Sequence, residues 1–211
     1  MESVQTYVQE LQETLSRLPL DDIRDVIAVL HYARLNYKQV FIMGNGGSAA
    51  TASHFACDLS KGTIMPNMPR FRVIALTDNM ALFSSYANDY GYEHVFAEQL
   101  SSLLQTGDIV IGISGSGNSA NVLTAVELAR SRQATTIGFV GFDGGKLKDL
   151  VDLCVLVPSP CMEQVEDVHT ILEHLICTCL RKMLKSDRFE IPNMFVLEPW
   201  GLRRVETVGG A

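Results

Sequence analysis

The chain predicts an α/β fold: a three-layer αβα sandwich around a five-stranded parallel sheet, with two leading helices and a long C-terminal helix. Three observations carry that prediction. Five short runs are apolar without a break, stretches of helical periodicity separate them, and two glycine- and serine-rich segments each follow such a run and open a helix. An unbroken apolar run suits a strand buried on both faces, whereas a half-exposed strand alternates. Helices between such strands act as crossover connections and cover both faces of a parallel sheet.

The elements follow in order. Val4, Val8, Leu11, Leu15 and Leu18 recur at three- and four-residue spacing and stop before Pro19, which predicts a first amphipathic helix. A second runs from a cap at Asp21-Asp22 through Ile23, Val26, Ile27 and Leu30 to about Asn36. Strands are predicted at 40–43, 73–76, 109–113, 136–140 and 153–157. A long helix from about Met162 to Leu184 carries Val165, Val168, Ile171, Leu172, Leu175, Ile176 and Leu180 on a broad apolar face. The sequence reads as one domain, 1–186, with the leading helices in 1–37 and the sheet and crossover helices in 38–186. Residues 187–211 form an extension containing Phe195, Val196, Leu197 and Trp200, read either as an arm on a neighbouring subunit or as a loosely ordered end.

Composition narrows the function. A hydrophobic content of 47% with 19% charged residues predicts apolar surface buried in an oligomer. A net charge of −7 with no basic stripe argues against a nucleic-acid partner. No apolar run is long enough to span a bilayer, and Met1 to Gln5 show no basic segment leading into an apolar one, so no membrane partner and a cytoplasmic location are expected. The five cysteines, Cys57, Cys154, Cys161, Cys177 and Cys179, are odd in number and scattered and do not read as a disulfide framework, and Cys177 and Cys179 read as small core hydrophobes.

The candidate chemistry gathers at two loops. Gly44-Asn45-Gly46-Gly47-Ser48 and Ser114-Gly115-Ser116-Gly117-Asn118-Ser119 each look like an anion cradle, with glycines for close backbone approach and free helix N–H groups and hydroxyls as donors. The first lacks the spacing of a dinucleotide fingerprint and is not a Walker loop. Both lie where a parallel sheet binds ligands, beyond the carboxyl ends of the strands. A phosphorylated ligand with several hydroxyls fits such a pair. His54 and Asp58, four apart on the helix that follows the first loop, share a face about 6 Å apart, which suits a shared metal or a proton relay and equally an ordinary core histidine beside a solvated carboxylate. On the final helix Glu166 and His174 lie about 12 Å apart on nearly one face, while His169 and Glu173 form a closer pair. Spacing does not choose between them. Asn88-Asp89 and Asp143-Gly144-Gly145 read as turns.

With these residues in place the chain resembles the sugar isomerase, or SIS, domain family and, within it, the phosphoheptose isomerases. The likeness spans about Val40 to Met183 and rests on the first loop, His54-Phe55-Ala56, Asn88-Asp89-Tyr90-Gly91, Gly107-Asp108 and the segment Gly112 to Val122. It implies a SIS fold and a sugar-phosphate aldose–ketose isomerase that converts sedoheptulose 7-phosphate to D-glycero-D-manno-heptose 7-phosphate through an enediol. Ser114, Gly115, Ser116 and Ser119 then hold the phosphate, and Asn45, Gly46, Gly47, Ser48, Asn88, Asp89 and Glu166 meet the sugar. It further implies one zinc ion per subunit, held by His54, Asp58, Glu166 and His174, and a homotetramer with sites between subunits. Asp58 is one methylene shorter than the family's glutamate, and Glu166 stands where the family has glutamine. In that scheme Asp58 moves the carbon-bound proton and His174 shuttles a proton at the sugar oxygens. The alternative is a non-catalytic sugar-phosphate-binding SIS protein acting as a regulator or a replication-initiation partner.

Overall fold

The computed structural model describes residues 2–183, 195–198 and 201–204. Helices α1 (Glu2–Ser16) and α2 (Leu20–Leu35) lead into β1 (Gln39–Gly44), α3 (Gly47–Cys57) and β2 (Arg72–Ala75). Then follow α4 (Met80–Tyr90), α5 (Val95–Leu103), β3 (Ile109–Ser114), α6 (Ala120–Ser131), β4 (Thr135–Val140), α7 (Gly145–Leu150), β5 (Leu153–Leu156) and α8 (Met162–Lys182). Strands β1 to β5 form one all-parallel sheet in the order β2-β1-β3-β4-β5. This is the α/β sandwich that the sequence predicts. Among the described residues no helix is long and apolar enough to cross a membrane.

Alternation along the strands divides the core into two layers. Val40 and Ile42 of β1, with Ile109, Ile111 and Ile113 of β3, pack on one face against α2, α3 and α8. Phe41 and Met43, with Val110 of β3, pack on the other face against α5, α6 and α7. Parallel strands need this two-sided cover, and β1, β3 and β4 are buried along nearly their whole length. The edge strand β2 departs from expectation. Its Arg72 and Ile74 are exposed, because an edge strand of this sheet receives less cover than a central one.

Three local details also differ from the sequence reading. Asp21 and Asp22 do not cap α2; they lie in its first turn after Pro19, where carboxylates still favour the helix dipole. Asn88 and Asp89 belong to the last turn of α4, and the chain turns at Gly91, whose φ of 97° suits glycine. The extension forms a hairpin, β6 (Phe195–Glu198) with β7 (Gly201–Arg204), antiparallel. Phe195 and Leu202 are buried in the same core layer as α2 and α8, and Thr135 donates its hydroxyl to the Leu202 carbonyl. These strands form a separate two-stranded sheet, and Trp200 lies outside the described residues.

Candidate active site

Topology creates the crevice. After β1 the chain passes to β2 on one side, while β3 pairs with β1 on the other. The helices that leave these neighbours therefore cover opposite faces: Ala52, Phe55 and Ala56 of α3 pack into one core layer, and Val122, Ala125, Val126 and Ala129 of α6 into the other. A cleft opens between them at the carboxyl ends of β1 and β3, the switch point at which such sheets bind ligands. Both glycine-serine loops border it.

The second loop is built to present donors. Ser114 Oγ and Ser119 Oγ lie 3.1 Å apart, and the Asn118 N–H donates to Ser116 Oγ. The loop is braced by the turn at Asp143: Asn118 Oδ1 accepts from the Lys146 N–H, and the Gly117 carbonyl accepts from the Leu147 N–H. Asp143 itself accepts from the Gly145 N–H, so that turn supports the loop. In the first loop, Gly46 at φ 55° and ψ −124° occupies a conformation that residues with a side chain rarely adopt. Asn45 exchanges two 2.9 Å hydrogen bonds with Asn121 and accepts a third from the Tyr92 hydroxyl. Those three bonds fix the orientation of the Asn45 amide. Asn121 and Tyr92 escaped notice as site residues because single polar residues carry no spacing signal. Asn88 and Asp89 are exposed on α4 and bond to each other.

The charged cluster joins α3 to α8. His54 on α3, Asp58 immediately after it and His174 on α8 each offer a ligand atom, all within 4.8 Å of one another. His54 Nε2 lies 3.9 Å from Asp58 Oδ1, and His174 Nε2 lies 3.8 Å from Asp58 Oδ2. The two imidazoles meet edge to face at 4.9 Å. Asp58 stands four residues after His54 and opens a π-type turn over Asp58–Gly62, a distortion common at functional positions. Two imidazole nitrogens and one carboxylate, with a side left open, match the donor set of a catalytic zinc site, whose ligands lie roughly 3.4 Å apart when tetrahedral. A small closure of the observed spacings would suffice, so the cluster fits a metal ion.

The other candidates on α8 divide. Glu166 does not join those three donors; it lies over the first turn of α3, so close that a side-chain carbon built on Gly47 would meet its two carboxylate oxygens at 2.5 and 2.6 Å. Glu166 and His54 still line one cavity of about 300 Å³, together with Gly47, Thr51 and Thr170. Ser48 is buried at the start of α3. His169 is buried against the Phe139 ring, and burial lowers its pKa to about 4, with a backbone contact at Val140 acting the other way. Glu173 is fully buried with its Oε1 2.6 Å from His54 Nδ1. Burial, joined by the neighbouring charge of Asp58, pushes that carboxyl up to about 8. The closer pair in sequence is thus taken apart: His169 serves the core and Glu173 reaches the cluster. Burial also pushes the Cys177 thiol up to about 12, which leaves it an inert core group.

Known proteins resemble this chain in sequence and in fold. The SIS domain family matches residues 5–141. The phosphoheptose isomerase of Geobacter metallireducens is 38% identical over 176 residues, covering 83% of this chain and 93% of that protein. The phosphoheptose isomerase of a Nitratiruptor species is 42% identical over 145 residues, covering 69% of this chain and 77% of that one. The solved structure of phosphoheptose isomerase from Neisseria gonorrhoeae superposes with a TM-score of 0.79 at 32% identity, covering 86% of this chain and 98% of that one.

Proposed function

The chain belongs to the SIS domain family, and on that footing we propose that it is a phosphoheptose isomerase, an enzyme that converts sedoheptulose 7-phosphate to D-glycero-D-manno-heptose 7-phosphate. The observation that carries the reading is the meeting of His54 and Asp58, at the end of α3, with His174 of α8. Binding is divided between the loops. Ser114, Gly115, Ser116 and Ser119 hold the phosphate with hydroxyls and the N-terminal N–H groups of α6. Asn45, Gly46, Gly47, Ser48, Asn88 and Asp89 meet the sugar, and Glu166 joins them from the cavity wall it shares with His54.

Moving a carbonyl between adjacent carbons requires taking a proton from one, passing through an enediol, and returning a proton to the other. Asp58 moves the carbon-bound proton, and His174, whose imidazole can both accept and donate one, shuttles a proton between the sugar oxygens. His54 holds the pair in register through its edge contact with His174. His54, Asp58 and His174 would hold one zinc ion per subunit, which when bound would supply Lewis acidity at the carbonyl oxygen; Glu166, placed over the first turn of α3, stands apart from these donors. The working unit is residues 1–186, assembled as a homotetramer with sites between subunits. All five cysteines are free, which fits the reducing cytoplasm as its location.

Purified protein with zinc should isomerise sedoheptulose 7-phosphate. Asp58→Asn and His174→Ala should each lower kcat by about 10²–10⁴-fold, with the phosphate-loop contribution to binding retained. A wild type that binds ketose phosphates and turns over none of them overturns the reading in favour of a sugar-phosphate sensor.

A further inference from the structure

A second constellation, apart from the charged cluster, decides what the first loop can offer a ligand. Asn45, just after β1, and Asn121, in the first turn of α6, pair their side-chain amides. Asn45 Nδ2 donates to Asn121 Oδ1 and Asn121 Nδ2 donates to Asn45 Oδ1, each at 2.9 Å. Tyr92 completes the group, its hydroxyl 2.8 Å from Asn45 Oδ1. The Tyr92 ring packs edge-on against Phe83 at 5.7 Å, and Phe83 in turn packs on the fully buried Phe96.

An amide pair of this kind would read the same with both groups turned over, were it not for one backbone bond. The Val122 N–H, which can only donate, lies 3.0 Å from Asn121 Oδ1 and is shared with the Ser119 carbonyl of the second loop. That atom of Asn121 is therefore the oxygen, and the atom of Asn45 that faces it is the nitrogen. The atom of Asn45 that faces Tyr92 is then the oxygen, so the hydroxyl must donate. Both lone pairs of Asn45 Oδ1 are taken, one by Asn121 and one by Tyr92, and one of the two Nδ2 hydrogens is taken as well. The half-buried Asn45 has a single N–H left to give.

We propose that Tyr92 is a positioning residue: with Asn121 it fixes the Asn45 amide, uses up its acceptor capacity, and makes Asn45 a donor-only contact that selects an oxygen acceptor on the ligand. The inference rests on the reading that Asn45 meets the sugar, and deepens it. A carbonyl or hydroxyl oxygen satisfies such a donor, whereas an ammonium group, which has no lone pair, would set donor against donor. The amide is ordered before the ligand arrives, so binding spends no freedom on turning it. In Tyr92→Phe the ring contacts stay, one lone pair of Oδ1 opens, and Asn121 alone holds the amide.

Four forms of the full chain test this: wild type, Tyr92→Phe, Asn45→Ala and the double variant, compared as a cycle in kcat/KM for sedoheptulose 7-phosphate. Tyr92→Phe should lower kcat/KM by about 3–10-fold, the range for one hydrogen bond, and by less than about 2-fold once Asn45 is alanine. A purely structural role would instead lower the urea midpoint and act equally in both backgrounds. Equal losses in the two backgrounds, or no loss in Tyr92→Phe, overturn the proposal. If Asn45→Ala does not fold, side-chain amide spectra of ¹⁵N-asparagine-labelled wild type decide. One Asn45 Nδ2 hydrogen should shift when sedoheptulose 7-phosphate is added while its twin keeps its place, and any other pattern overturns the inference. If the wild type binds the sugar phosphate without turning it over, the same cycle is read in Kd by calorimetry. Turnover without coupling sinks this inference and spares the isomerase reading, coupling in Kd without turnover does the reverse, and a wild type that binds no sugar phosphate removes both.

Discussion

Burial fixes the charge of His169, and with it part of the protein's response to acid. The ring is 1% exposed beside Phe139, and its pKa is lowered to about 4 from an ordinary 6.5. The native state therefore resists a proton that the unfolded chain accepts. Stability from this residue is complete above about pH 6.5 and is lost as pH falls through about 4, by roughly 3 kcal/mol in all. Urea unfolding at neutral pH and near pH 4 should show the wild type losing more stability on acidification than His169→Leu, by about that amount. Equal losses in the two proteins would show that the ring titrates normally in the fold. Three residues from Glu166 and four from Glu173, this histidine has the spacing of a ligand and the environment of a core side chain. Spacing alone does not separate the two.

At the scale of elements, the first loop and α3 form one device. Gly46 takes φ 55° and ψ −124°, with nothing within 4 Å of where a side-chain carbon would stand. Gly46→Ala therefore meets no clash, and its cost is backbone strain alone, about 1–3 kcal/mol. Because that strain is relieved by moving the loop, the variant should raise KM for the sugar phosphate more than it lowers the urea midpoint. An unchanged KM would mean that the loop does not touch the ligand. The strands and helices of this region were legible in sequence because apolar runs and helical periodicity record burial directly, as Phe41 to Met43 and Val165 to Leu180 do. The two glycine-serine turns between strand and helix were legible for the same local reason. What the sequence hid depends on contacts between distant segments. Glu173 meets His54 across more than a hundred residues, the π-type turn that begins at Asp58 leaves no compositional trace, and Tyr92 finds Asn45 only once α4 and β1 are in place. The hairpin of β6 and β7 was missed because two strands of four residues fall below the length at which alternation can be read.

At the scale of the whole molecule, the apolar surface is distributed as an assembly requires. α4 buries none of its residues within the subunit and exposes Met80 at 65% and Tyr90 at 59%, while α1 exposes Val4 at 67% and Val8 at 49%. Val4 and Val8 lie four apart on α1 and share a face, and Asn88 and Asp89, assigned to the sugar, stand on the uncovered α4. Water is a poor neighbour for such a stripe: each buried aliphatic side chain contributes about 1.5–3 kcal/mol on leaving it. Four copies repeat the contribution, so a modest patch per subunit can hold a tetramer firmly. The charge variant Val4→Glu with Val8→Glu places carboxylates on that face without touching the sheet, the loops or the donor cluster. By sedimentation velocity at micromolar concentration the wild type should run at about four times 23.2 kDa, and the double variant as a smaller species with unchanged helix content. If the site is built between subunits, isomerase activity should fall with the tetramer fraction as the variant is diluted. A wild type that is monomeric and fully active would place the whole reaction within one chain and leave the faces of α1 and α4 without a catalytic purpose.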